Sequence, residues 1–344
     1  MIKPGFKFKS IHCLGMALLW GAILLFSCNA PEPKPEEQAE KGVDTLAKLT
    51  QSIALDSLNA GLYAQRGAFL LKKKDLARSY ADYKKAVALD STNEAILYDF
   101  AEVAFLVNRT RESRDAFLKC TQINPSNPDP FLRLAELHYY VREYVKALGF
   151  LDKAQLVKEK FPRAYFLRGM IYKEGGDTAR AFEAFRKAIE TDQEFYDAYM
   201  QLGLLHSARK EPIALQYFDN VLNIDARSTE ALYGKAWFFQ QMDSVRQAEK
   251  WYNAILLIDS VNLNTLFNMG YLAYHFHKDY RTATVYFAKC IQYRPNDADA
   301  FYMRGLSFEQ LGEFRKANRD YLEAIRIDQG YQEAFDGIKR IEKK

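Results

Sequence analysis

The most constraining feature of this 344-residue chain is a spacing that repeats about every 34 residues from Ala60 onward. A small residue recurs at Gly67, Ala101, Ala135, Gly169, Gly203, Ala236, Gly270 and Gly305. About twelve residues after each stands a second small one: Ser79, Ser113, Ala147, Ala181, Ala214, Ala248, Ala283 and Ala317. Four residues further comes a ring or a leucine: Tyr83, Phe117, Leu151, Phe185, Phe218, Tyr252, Phe287 and Tyr321. Three further comes a compact apolar residue: Ala86, Cys120, Ala154, Ala188, Val221, Ile255, Cys290 and Ala324. Steps of four and three put these residues on one face of a helix. The small residues let two helix backbones approach, and the ring fills the space that remains between hairpins. The spacing is a packing code for helices.

The spacing, with its small, aromatic and apolar order, resembles the tetratricopeptide repeat. The resemblance implies an all-α, right-handed α-solenoid of about eight helical hairpins, at residues 60–93, 94–127, 128–161, 162–195, 196–228, 229–262, 263–297 and 298–331. A capping helix is expected at 44–58 and another at 332–344. The fifth unit is one residue short near Glu211 and Pro212, and the seventh carries one extra near His277, Lys278 and Asp279. Turns between helices are where such changes are expected to fall. Cys120 and Cys290 sit at the compact apolar site five units apart, so they read as packing thiols, not a disulfide.

The first residues read as an address. Lys3, Lys7 and Lys9 precede an apolar run from Ile11 to Ser27, then Cys28. This is the layout of a secretory signal. Leu25-Phe26-Ser27-Cys28 resembles a bacterial lipobox, which implies cleavage after residue 27 and acylation of Cys28; the alternative is an uncleaved membrane anchor. Residues 28–43, rich in Pro and Glu, are expected to form an extended tether. By the same resemblance Asn29 implies sorting to the outer membrane of a Gram-negative bacterium, with the body exported.

Chemistry is sparse. Without the three lysines of the leader the formal charge falls from +4 to +1, which does not favour nucleic acid as a partner. No glycine-rich phosphate loop, HExxH, GxSxG or CxxC occurs. His275, His277 and Asp279 form the one metal-like grouping, and two residues apart on a regular helix they diverge. No catalytic residue, metal or cofactor is expected. In the repeat family ligands lie against the first helices. That points to two aromatic groups, Tyr98, Phe105 and Tyr139, and then Tyr233, Trp237, Phe267, Tyr271 and Tyr274. Exposed rings with a polar rim suit peptide or protein partners. The expected function is a non-catalytic scaffold or adaptor on the cell envelope that binds segments of other envelope proteins. Binding of glycan or peptidoglycan fragments is the alternative, and a homo-oligomer is compatible with the pattern.

Overall fold

The computed structural model describes residues 35–343, and all regular structure among them is helical. They fall into two compact units divided between Val107 and Asn108. The first holds α1 (Pro35–Leu55), α2 (Ala60–Lys72), α3 (Leu76–Leu89) and α4 (Glu94–Leu106). The second begins with α5 (Thr110–Ile123), α6 (Asp129–Tyr140), α7 (Tyr144–Val157), α8 (Pro162–Glu174), α9 (Thr178–Thr191), α10 (Tyr196–Ala208) and α11 (Ile213–Ile224). It continues with α12 (Thr229–Gln241), α13 (Val245–Ile258), α14 (Leu263–Leu272), α15 (Tyr280–Tyr293), α16 (Ala298–Gln310), α17 (Phe314–Ile327) and α18 (Gln332–Ile341). Helices pair as hairpins, α2 with α3 in the first unit and α6 with α7 through α16 with α17 in the second. The first helices of successive hairpins also meet, α6 with α8, α10 with α12, and α16 with the closing α18. They therefore share one side of the second unit.

The spacing read from the sequence is the packing rule of the core. All eight ring-or-leucine residues are buried, and Leu151, Phe185, Phe218, Tyr252, Phe287 and Tyr321 are fully so. Each glycine at the repeating small position of a first helix faces the ring of its own hairpin. A Cβ on Gly67 would stand 2.8 Å from the Tyr83 ring, on Gly169 2.5 Å from Phe185, on Gly203 2.6 Å from Phe218, on Gly270 2.8 Å from Phe287, and on Gly305 2.8 Å from Tyr321. Phe218 also touches Gly234 of the next hairpin, and Tyr321 touches Gly337 of α18, so these rings join neighbours as well as partners. Ala147, Ala181 and Ala317 are fully buried on the second helices. Cys120 and Cys290 are buried and form no disulfide among the described residues.

The turn inside each hairpin has its own device. One residue in the left-handed region stands at Lys74, Asn108, Arg142, Gly176, Lys210, Asp243, Lys278 and Gly312. The next amide closes the helix end by donating back five residues, as from Asp75 to the Leu70 carbonyl at 3.0 Å, Glu143 to His138 at 2.8 Å and Asp177 to Tyr172 at 2.9 Å. This is a Schellman closure. Only Gly176 and Gly312 take the conformation without strain; the other six carry a Cβ into it.

Three expectations change. Helix α1 starts at Pro35, so residues 35–43 are helical instead of an extended tether, and the cap is longer than 44–58. Proline at the first helical position has no amide left unpaired. The signal, Cys28 and the start of the tether lie outside the described residues. In the fifth unit the missing residue comes out of α11, which has 12 residues where the other second helices have 14 and which starts after Pro212. In the seventh, the extra residue is not in the turn. It widens the end of the first helix into a π-helical turn, Ala273–His277, and Asp279 donates back six residues to Ala273 at 2.9 Å. Swelling one helical turn keeps the left-handed closure at Lys278 intact.

Two stability outcomes follow from this packing. Gly169→Trp drives a ring into Phe185 and should cost about 1–3 kcal/mol in thermal or denaturant unfolding. Lys74→Gly relieves a left-handed Cβ in the first unit and should stabilise it by about 0.5–1 kcal/mol, seen as a raised melting temperature.

Candidate functional site

The expected binding residues sit on first helices, and the structure sorts them. Tyr98 and Phe105 are half-buried on α4 in the first unit, while Tyr139 is on α6 in the second. Tyr139 is committed to its neighbours. Its hydroxyl donates to Glu174 at 2.5 Å, Tyr144 donates to the same carboxylate at 2.7 Å, and the two rings lie 6.1 Å apart. The three therefore tie hairpin α6/α7 to the end of α8.

The second aromatic group lies wholly in the second unit, on α12, α14 and the π-helical turn. Tyr233 and Phe267 serve packing more than binding. The Tyr233 hydroxyl accepts from Asn268 at 2.8 Å, the same amide donates to Tyr252 at 3.0 Å, and Tyr252 donates to Gln240 at 2.9 Å. The Tyr233 ring stands edge-on to buried Tyr252, and the Phe267 ring edge-on to buried Phe287 at 5.3 Å. Trp237, Tyr271 and Tyr274 are left as the half-buried rings nearest to a working surface. Trp237 and Tyr271 occupy the same place in consecutive repeats, and Tyr274 follows on the same helix.

The π-helical turn adds His275 to this group. His275 packs 4.2 Å from Tyr271 and 4.7 Å from Tyr274, and Tyr274 meets Tyr280 at 5.3 Å. Desolvation by its neighbours, with Lys278 nearby, lowers the His275 imidazole from its ordinary value. Burial pushes the Tyr274 phenol up to about 12. His277 takes another route and pairs with Glu249 at 2.6 Å. Among the described residues no three His, Cys, Asp or Glu side chains come together as a metal site.

Sequence reading missed a pair of ion locks. Arg66 donates to both oxygens of Asp82 at 2.7 and 2.8 Å, and Arg304 does the same to Asp320 at 2.7 and 2.8 Å. In both hairpins the arginine precedes the small glycine and the aspartate precedes the ring, so the motif was visible as Arg-Gly and Asp-Tyr sixteen residues apart. A second lock closes the C-terminal end. Arg340 of α18 donates to buried Glu309, which also accepts from Tyr321 at 2.6 Å.

These hairpins can now be set beside known proteins. The tetratricopeptide repeat family model matches residues 60–93, 162–195 and 298–331. Those three stretches are tetratricopeptide repeats. It is similar to human tetratricopeptide repeat protein 6, 21% identical over 301 residues, covering 76% of this chain and 58% of that protein. It is similar to human protein O-mannosyl-transferase TMTC3, 20% identical over 250 residues, covering 71% of this chain and 27% of the transferase. Among solved structures, a tetratricopeptide repeat protein from Parabacteroides merdae aligns with a TM-score of 0.52 at 17% identity, over 72% of this chain and 98% of that one. At that identity the likeness is one of fold. The chain thus spans less than two thirds of either curated relative. Proteins built on these repeats characteristically mediate protein–protein interaction.

Asp320→Ala would leave the Arg304 guanidinium without its partner inside the last hairpin. The expected cost is about 3 kcal/mol in urea unfolding, with Asp320→Asn recovering part of it.

Proposed function

We propose that this protein is a non-catalytic scaffold held at a bacterial cell envelope, where the first-helix side of its second unit binds segments of partner proteins. The observation that carries the reading is the placement of Trp237, Tyr271 and Tyr274. They stand at corresponding or adjacent-turn positions on consecutive first helices, half-buried within one compact unit. Rings of this kind offer a large contact area at small entropic cost and dominate affinity at protein interfaces. Gln240 and Asn268, three residues from Trp237 and Tyr271 on the same helices, are held by Tyr252 and Tyr233.

The envelope part of the reading rests on residues 1–28: a basic start, an apolar run and Cys28 in a lipobox-like setting. No described helix is long and apolar enough to cross a membrane, and the leader lies outside the described residues. Transferase activity belongs to a relative of which this chain spans 27%, and the repeats by themselves call for no catalytic group.

Two measurements test the reading. Trp237→Ala and Tyr274→Ala should keep the helical circular dichroism of the wild type and lose at least tenfold in partner recovery on affinity isolation; undiminished recovery from both contradicts the surface. Cys28→Ser should abolish incorporation of labelled palmitate and release the protein from the membrane fraction. Equal labelling of the two forms contradicts the anchor.

A further inference from the structure

One pair of charged groups in the second unit lacks the partners that its counterparts have. Lys173, near the end of α8, is half-buried, and its ammonium donates to the side-chain oxygen of Gln201 on α10 at 2.6 Å. The acceptor is a neutral amide. The adjacent carboxylate, Glu174, is occupied by the Tyr139 and Tyr144 hydroxyls. Asp197 lies four residues before Gln201 on the same face of α10, also half-buried, and among the described residues it neither accepts a hydrogen bond nor faces a cation within ion-pair distance. Burial lowers the lysine from its ordinary value against the attraction of neighbouring Glu174, and burial alone raises the aspartate from its own.

Other hairpins show what these positions look like when the protein satisfies them itself. At the place of Lys173, Glu309 accepts from Tyr321 and Arg340, Gln240 accepts from Tyr252, and Tyr139 donates to Glu174. At the place of Asp197, Asp299 accepts from Tyr331 at 2.7 Å and Arg163 donates to Glu136 at 3.3 Å. Leaving a half-buried charge without a matched partner costs stability. Here two opposite charges carry that cost side by side without pairing with each other. One helical turn, about 6 Å, separates Asp197 from Gln201, where the lysine is held. No ion pair joins Lys173 and Asp197, and a rise of one helical turn is a span that one small molecule can bridge. Met170, a turn before Lys173, and Leu204, a turn after Gln201, are half-buried apolar neighbours on the same two helices.

We propose that the crease between α8 and α10 is a binding site for a zwitterionic group, an ammonium and a carboxylate carried close together on one molecule. Lys173 takes the carboxylate, Asp197 takes the ammonium, Gln201 orients the lysine, and Met170 and Leu204 flank the carbon between the charges. An unblocked amino acid has this chemistry, and so does a short peptide with both ends free. The site stands apart from the aromatic surface around Trp237, and either can fail without the other.

The test uses the full chain with its methionine methyls labelled and follows the Met170 methyl resonance by NMR. Glycine, diglycine and tetraglycine are titrated as zwitterions of increasing charge separation. N-acetylglycine and glycinamide serve as singly charged controls. The expected result is a saturable shift with a zwitterion, at least tenfold weaker with either control. A glycine preference marks a free amino acid as the source of the chemistry, and a diglycine or tetraglycine preference marks a peptide with both ends free. Asp197→Asn and Lys173→Gln should each abolish the shift while melting at or above the wild-type temperature, since each removes an unmatched charge. The proposal is overturned by the absence of a saturable shift with every zwitterion, by an equal shift with the controls, or by a shift that survives both substitutions.

Discussion

The structure depends on one contact, repeated: the ring of a second helix laid over a residue of the first helix that has little or no side chain. At Gly169 an added Cβ would sit 2.5 Å from Phe185, so the contact exists only because that position is bare. The ring is wholly buried, and in hairpins such as α10/α11 it reaches the next first helix as well. One interaction thereby closes a hairpin and joins it to its neighbour. Stability is then passed along the array by nearest neighbours, and the outer faces of the helices stay free to vary. The surface around Trp237 is a by-product of that arrangement, because it lies on helices whose opposite faces are fixed by Tyr252 and Phe287.

Length changes show how strictly the contact is protected. The array loses a residue in hairpin five and gains one in hairpin seven, yet Phe218 and Phe287 remain fully buried against Gly203 and Gly270. The deletion shortens α11 at its start, and the insertion swells the end of α14 into a π-helical turn. Neither touches the register of ring and glycine. The swollen turn has a local consequence: it places His275 against Tyr271 and Tyr274.

Fold was legible because it is periodic. Gly67 through Gly305 and Tyr83 through Tyr321 announce their roles by spacing alone, and the matched repeats at 60–93, 162–195 and 298–331 fall in the same register. The Arg66–Asp82 and Arg304–Asp320 locks were legible in principle, since both residues hold fixed places beside the code. The start of α1 was obscured by prolines that read as a stiff tether, although one of them occupies the single helical position that tolerates it. Tyr233 and Phe267 could not be told from binding rings by sequence, because the choice turns on which way a half-buried ring leans. Lys173 and Asp197 were beyond reach for a different reason. What sets them apart is the lack of matched partners, and only the arrangement of neighbouring side chains reveals it.

The central claim is that partners meet this protein on its first-helix side. The most direct measurement is crosslinking in living cells with a photoreactive residue placed at Trp237, compared with one placed at Leu257 on α13, which is 89% exposed and belongs to a second helix. The account predicts discrete partner adducts from position 237, identified by mass spectrometry, and none of the same adducts from position 257. Equal adducts from both positions, or adducts from 257 alone, would contradict it.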